Sequence, residues 1–367
     1  MTSHRADMFE ALRLTREGKL VEAMTVLRGG SPEASPADIQ RQQGHRAAPP
    51  RAPFVDLVPP SDSMGAWSNA AAPESDIRTA KPAGTSSFRY HAVRDAAGSR
   101  RFKLYSPAGY TGQPLPLIVM LHGCTQSPDD FAAGTRMNAL AEQQKFFVAY
   151  PEQPRSANPN KCWNWFNEGD QRRDAGEPLL IAALTRQILR DHAVDEERVY
   201  VAGLSAGGAA AAILGATYPD LYAAVGIHSG LACGAARDMP GAFAAMRQGA
   251  PAAQRLARNE RVVPTIVFHG DRDTTVSPVN GDQAIEQASG GAGVRTRVSR
   301  GETATGIAFT RTTRHDGQDR CIGEQWVLQG IGHAWSGGSG DGSFTDPRGP
   351  DASAEFVRFF LQHRLSA

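Results

Sequence analysis

The chain has no long apolar run, no excess of either charge and few cysteines. Its 39 basic and 38 acidic side chains leave a net charge of +1 over 367 residues. That balance removes the bulk electrostatic pull that nucleic acid or an anionic membrane would exert. No apolar stretch approaches the roughly 20 residues that cross a bilayer. The N-terminus, Met1-Thr2-Ser3-His4-Arg5-Ala6-Asp7-Met8-Phe9-Glu10, holds acidic residues and lacks the apolar centre of a secretory leader, so the expected location is the cytoplasm. The four cysteines, Cys124, Cys162, Cys233 and Cys321, include no C-x-x-C pair, and no histidine cluster stands near them. Asp341 and Asp346 do not form a calcium-loop pattern. No metal and no cofactor is therefore expected.

What is present suffices for one large core and a small appendage: hydrophobic residues make up 41% and charged residues 21%. Met8, Ala11, Leu12, Leu20, Ala23 and Leu27 recur at helical spacing, with Gly18 as a break, which predicts a helical segment over 1–30. Residues 31–86 are rich in Pro, Ala and Ser, with Pro49-Pro50 and Pro59-Pro60 inside, and read as a linker. A loop packed over the main body is the alternative for that stretch. From 87 to 367 strand and helix patterns alternate. Phe88 to Val93 and Arg101 to Tyr105 predict an opening antiparallel pair. Central strands are predicted at Leu117 to Leu121, Phe146 to Tyr150, Val199 to Ala202, Ala223 to His228 and Thr265 to Phe268, with a last one near Gln325. Helices are predicted at Met137 to Gln144, Pro178 to His192, Ala206 to Ala216 and Ala352 to His363. This order implies an α/β fold with a mostly parallel sheet covered on both faces, and a site at the C-terminal ends of its strands.

The most informative motif is Gly203-Leu204-Ser205-Ala206-Gly207, between the apolar run Val199-Tyr200-Val201-Ala202 and the small-residue stretch from Gly208 to Leu214. Strand, tight turn and helix in that order form a nucleophile elbow, and Ser205 is the candidate nucleophile. Downstream, Pro264 to Gly270 reads as a buried strand running into Asp271-Arg272-Asp273. Asp273 is the preferred orienting acid and Asp271 a brace for its loop. His333, in the glycine-bounded stretch Gly330-Ile331-Gly332-His333-Ala334-Trp335, is the candidate base. The order Ser, Asp, His is that of α/β-hydrolases. His122, His228 and His269 also end apolar runs and read as structural histidines. Leu117 to Cys124 is a strand and loop whose Cys124 amide, with the Ala206 amide, would form an oxyanion hole; His122 and Gly123 position that loop.

These residues resemble the poly(3-hydroxybutyrate) depolymerase family of esterases, a family that also holds feruloyl and acetylxylan esterases within the α/β-hydrolase superfamily. The matching stretches are Leu121-His122-Gly123-Cys124-Thr125-Gln126, Tyr150-Pro151-Glu152-Gln153, Cys162-Trp163-Asn164-Trp165-Phe166, Gly203 to Gly208, His269 to Asp273 and Gly332 to Gly338. The resemblance implies Ser205 as nucleophile, Asp273 as acid, His333 as base and His122 within the oxyanion motif, in the non-permuted order. It also implies poly(3-hydroxybutyrate) or its oligomers as substrate. A feruloyl, acetylxylan or general short-chain ester is the alternative. The absent leader favours a cytoplasmic, granule-associated enzyme with the N-terminal helices docked on the polymer granule; an extracellular enzyme, as in many family members, is the alternative location. A catalytically silent fold used as a scaffold is the competing class, and the presence of both Ser205 and His333 speaks against it.

Trp335, Trp163 and Trp165, with Phe166, are expected to form an aromatic rim for the acyl chain, with core packing as the competing reading for Trp163 and Trp165. Cys124 and Cys162 lie near the expected mouth, where a bridge between them would brace the site. Four cysteines allow three pairings, and free thiols are the alternative in a reducing compartment.

Overall fold

The computed structural model describes residues 84–251, 262–289 and 293–365. The expected helical segment at 1–30 and nearly all of the 31–86 linker lie outside the described residues. Ten strands form one sheet: β1 (Ser87–Asp95), β2 (Gly98–Ser106), β3 (Leu115–Leu121), β4 (Phe147–Pro151), β5 (Val194–Leu204), β6 (Ala224–His228), β7 (Thr265–Gly270), β8 (Arg295–Glu302), β9 (Ala308–His315) and β10 (Cys321–Leu328). Their order is β1-β2-β4-β3-β5-β6-β7-β10-β9-β8. The pairs from β4 through β10 are parallel, and antiparallel strands extend both ends. Every residue of β3, β4, β6 and β7 is buried. That is why these strands read as unbroken apolar runs rather than as alternations.

The period-two geometry of a strand sorts its side chains between two cores. Leu117, Val119 and Leu121 face one, while Ile118 and Met120 face the other. The first core is closed by α3 (Gly176–Asp191), α4 (Ala206–Thr217), α5 (Met239–Gln248) and α6 (Val279–Ser289). The second is closed by α1 (Pro128–Thr135), α2 (Met137–Gln144) and α7 (Ala352–Phe360), which contributes Phe356, Val357, Phe359 and Phe360. The predicted opening pair, central strands and helices α2, α3, α4 and α7 all form, with small shifts at their ends. Helices α1, α5 and α6 and the β8–β9 hairpin were not predicted. Seven of the eight β8 residues are exposed, so this Arg-rich strand has no apolar face for a period-two reading to detect. Among the described residues no helix is long and apolar enough to cross a membrane.

Glu324 pins the added hairpin to α7. Its buried carboxylate accepts from Arg311 at 2.8 Å and from the Trp326 Nε1–H at 2.7 Å, and it also binds Arg358. Replacing Glu324 with Leu would strip the indole of its acceptor and take from Arg311 its carboxylate, while Arg358 keeps Glu355 at 2.6 Å. A loss of about 3 kcal/mol is expected. Urea unfolding of the variant at neutral pH checks this, and an unchanged midpoint would show that the clamp carries no net stability.

Candidate active site

Ser205 stands between β5 and α4 with φ 57° and ψ −119°, a conformation rarely adopted by residues bearing a Cβ. Its flanking glycines are dictated by contact. A Cβ on Gly203 would lie 2.3 Å from the Gly207 carbonyl carbon, and one on Gly207 would lie 2.0 Å from the Leu121 oxygen. The Ser205 amide donates to the His228 carbonyl at 2.9 Å. Ala206 heads α4, so its N–H belongs to a first turn whose amides lack intrahelical acceptors and carry the positive end of the helix dipole.

Asp273 lies on the loop beyond β7 and is buried. Its Oδ1 accepts from the Thr275 and Val276 amides at 2.9 and 2.8 Å, and its Oδ2 accepts from His333 Nδ1 at 2.7 Å. His269 Nε2 donates to the Val276 carbonyl at 2.9 Å and lies 3.4 Å from the same Oδ2. Burial pushes the Asp273 carboxyl up, but the hydrogen bonds from His269 and His333 outweigh it and hold the acid below the ordinary range. Asp271 braces the loop that carries His333: its carboxylate accepts the Gly330 amide at 2.7 Å, and its own N–H donates to the Leu328 carbonyl at 2.9 Å.

His228 joins the Ser205 turn to the segment that follows His333. Its Nε2 accepts the Ser336 amide at 3.0 Å, three residues past His333. Asp273 and His333 thus meet directly, and Ser205 is linked to their region through β6.

The loop after β3 is held from several directions. His122 Nδ1 donates to the Gly123 carbonyl at 2.8 Å, and its Nε2 accepts the Gln153 amide at 3.1 Å, which fixes a neutral tautomer. The Gly123 amide donates to Gln126 Oε1 at 2.8 Å, and Trp163 Nε1 donates to the His122 carbonyl at 3.0 Å. Cys124 and Cys162 form a disulfide, S–S 2.05 Å; Cys233 and Cys321 are free. Gln153 continues inward to the Cys162 carbonyl at 2.9 Å and to Glu177. Gln126 and Gln153 were not singled out from the sequence, although both lie in the stretches His122 to Gln126 and Tyr150 to Gln153 that carry the resemblance.

The aromatic rim requires correction. Trp335 is 1% exposed, donates its Nε1–H to Ser353 Oγ at 3.0 Å and stacks on His228 with ring centres 5.1 Å apart. Trp163 is fully buried and Trp165 and Phe166 nearly so. The rim expected of Trp335 and Phe166 is packed into the interior instead, and for Trp163 and Trp165 the competing reading, core packing, is what the structure has. Among the described residues no group of three or more His, Cys, Asp or Glu could hold a metal ion.

This arrangement places the chain in the α/β-hydrolase fold class. The structure resembles an acetyl xylan esterase from Aspergillus awamori, with TM-score 0.57 and 19% identity, covering 75% of this chain and 99% of that one. More narrowly, the chain belongs to the family described as Esterase PHB depolymerase, a family of carboxylic ester hydrolases, which it matches over residues 100–312. It is 35% identical over 228 residues to poly(3-hydroxyalkanoate) depolymerase C of Paucimonas lemoignei, covering 59% of this chain and 54% of that enzyme. It is 30% identical over 247 residues to feruloyl esterase B of Thermothelomyces thermophilus, covering 63% of this chain and 82% of that enzyme. The chain thus spans about half the length of the Paucimonas relative.

Two expectations follow from the site. Burial lowers His122 from its ordinary 6.5 to about 4. The unfolded chain therefore takes up a proton there that the folded chain refuses, and stability falls as pH drops from 6.5 toward 4, by about 3 kcal/mol from this residue. Urea midpoints measured between pH 7 and 4.5 should show a slope that flattens in a His122→Gln variant; identical slopes would refute the assignment. The disulfide closes a loop between residues 38 apart, for which chain entropy gives ~4 kcal/mol. Cys162→Ser should lower Tm accordingly under non-reducing conditions, and reductant should bring the parent down to the same value.

Proposed function

We propose that this protein is a serine esterase in which Ser205 is the nucleophile, His333 the base and Asp273 the acid that orients it. The observation that carries the reading is the 2.7 Å bond between Asp273 Oδ2 and His333 Nδ1, next to a loop that His228 ties to the Ser205 elbow. That bond leaves His333 Nε2 as the nitrogen free to take a proton. His333 removes the Ser205 hydroxyl proton as Oγ attacks the ester carbonyl. The oxyanion is received by the Ala206 and Cys124 amides. The imidazolium then protonates the departing alcohol, leaving an acyl-enzyme. A water, deprotonated by His333, attacks that acyl group, and Ser205 recovers its proton as the acid leaves.

The substrate we assign is poly(3-hydroxybutyrate) or its oligomers, supported by family membership and by the depolymerase relative. A second reading, a feruloyl or acetylxylan esterase, is favoured by one observation: the chain covers 82% of the length of the Thermothelomyces esterase but 54% of that of the depolymerase. The disulfide beside the oxyanion loop bears on location, since such bridges persist in oxidising compartments. It favours the extracellular alternative over a cytoplasmic, granule-bound enzyme.

Ser205→Ala should abolish acyl-enzyme formation and lower kcat for p-nitrophenyl butyrate by at least about four orders of magnitude. Parental turnover in that variant would sink the nucleophile assignment. Parallel assays on amorphous polymer and on methyl ferulate separate the two substrates: activity confined to the ferulate would retire the polymer.

A further inference from the structure

With the tryptophans withdrawn into the core, one exposed aromatic stands between the two loops of the site. Phe344 is 46% exposed, in the segment that closes back from Gly337 to the short strand pair β11 (Trp335–Ser336) and β12 (Thr345–Asp346). Its φ is 53°, a region that a residue with a Cβ avoids. Nine non-glycine residues among those described adopt positive φ, and Phe344 is the only large apolar one. The other eight are Thr125, Arg136, Lys145, Lys161, Asp174, Ser205, Ser229 and Asp319.

The segment is firmly held. Ser343 donates its amide to Asp130 Oδ1 at 2.9 Å and its hydroxyl to Asp130 Oδ2 at 2.6 Å. The Phe344 carbonyl accepts the Trp335 amide at 2.7 Å, and Thr345 Oγ1 donates to the Ser339 carbonyl at 2.8 Å. These bonds also fix its place relative to the chemistry. Gln126 donates from Nε2 to the Ser343 carbonyl at 3.1 Å while its Oε1 receives the Gly123 amide. One side chain therefore spans from the oxyanion loop to the neighbour of Phe344. On the other side, Trp335 is two residues beyond His333.

An unfavourable backbone conformation and a half-exposed apolar ring run against stability, yet hydrogen bonds hold both in place, a combination that persists where it serves function. We propose that Phe344 is a specificity-determining contact that grips the apolar surface of an aliphatic polyester beside the reacting ester. A rigid ring loses little conformational freedom on contact, so it suits a substrate that is itself a surface. Of the flanking charges, Asp346 and Arg348 are paired with each other at 2.7 Å and Asp130 is taken up by Ser343 and Gln126, which offers no handle to an ionic partner. The inference rests on the esterase and polymer reading above.

The test uses the full chain with Phe344→Gly, Phe344→Asn and Phe344→Trp. For each, Tm, adsorption to amorphous poly(3-hydroxybutyrate), and the ratio of polymer to p-nitrophenyl butyrate turnover are measured. Phe344→Gly and Phe344→Asn, which tolerate positive φ, should raise Tm by roughly 2–4 °C. The same two variants should lower adsorption and the turnover ratio roughly five- to tenfold. Phe344→Trp should keep both near the parent. An unchanged ratio in Phe344→Gly, in a parent that degrades the polymer, overturns the inference. So does a fall in Tm with equal loss on both substrates, which marks a packing residue, or a shift from dimer to monomer in sedimentation, which marks a second copy as the occupant. A parent inert on polymer but active on methyl ferulate would instead retire the substrate reading.

Discussion

His228 ends β6, and β6 lies between the strand that delivers Ser205 and the strand that delivers Asp273. Its carbonyl receives the Ser205 amide, while its ring nitrogen Nε2 receives the Ser336 amide from the segment that follows His333. A protonated ring would set an N–H against that N–H and push the loop away. Burial first, then the neighbouring His269 and His333, drives the ring far below its ordinary pKa and keeps it neutral. With Nε2 fixed as acceptor, Nδ1 carries the proton and donates to Ser229 Oγ at 3.1 Å. One imidazole thereby couples three segments that are remote along the chain, and the register of β5, β6 and β7 puts Leu204, His228 and Phe268 abreast to make this possible.

The oxyanion side is built on the opposite plan. The acid side relies on histidines around a carboxylate, whereas the loop from His122 to Gln126 is fixed by amides, an indole and a covalent bridge. The ring of His122, the Gly123 amide and the Trp163 indole each keep one donor or acceptor role there, which holds the loop backbone in one arrangement. Glu177 illustrates what this costs. Burial raises its pKa, while bonds from Asn164 and Gln153 and the charge of Arg100 work against that rise. The network is favourable only while all of its members stay in place.

Much of the catalytic half of the molecule was legible because parallel strands must be apolar on both faces and because an elbow admits few residues at its corners. Gly203 and Gly207 are forced by contacts with the backbone, so the motif carries its structural context with it. The hairpin β8–β9 was illegible for the complementary reason. Arg295, Arg297 and Arg300 face water, and an exposed strand is specified by pairing with its neighbour rather than by pattern. Gln126 and Gln153 were missed because a glutamine's value lies in the two ends of its amide, which no spacing rule reveals. Asp273 is the histidine partner, as its place beyond the strand suggests, whereas Asp271 braces the loop before His333 rather than its own, and His269, which reads as structural, lies 3.4 Å from the Asp273 carboxylate.

Trp335 shows most clearly where sequence reasoning stops. An aromatic two residues from the candidate base is equally compatible with touching substrate and with closing the core, since both environments reward the same large apolar surface. The structure chooses the second: the indole lies between His228 and the α7 side chain Phe356, with ring centres 5.1 and 5.3 Å away. In that position it excludes water from the imidazole that must remain uncharged. Its contact with the site is the stacking that desolvates His228. The seal and the hydrogen bond from the Ser336 amide stand together, because exposing the indole would simultaneously hydrate the ring that accepts that amide.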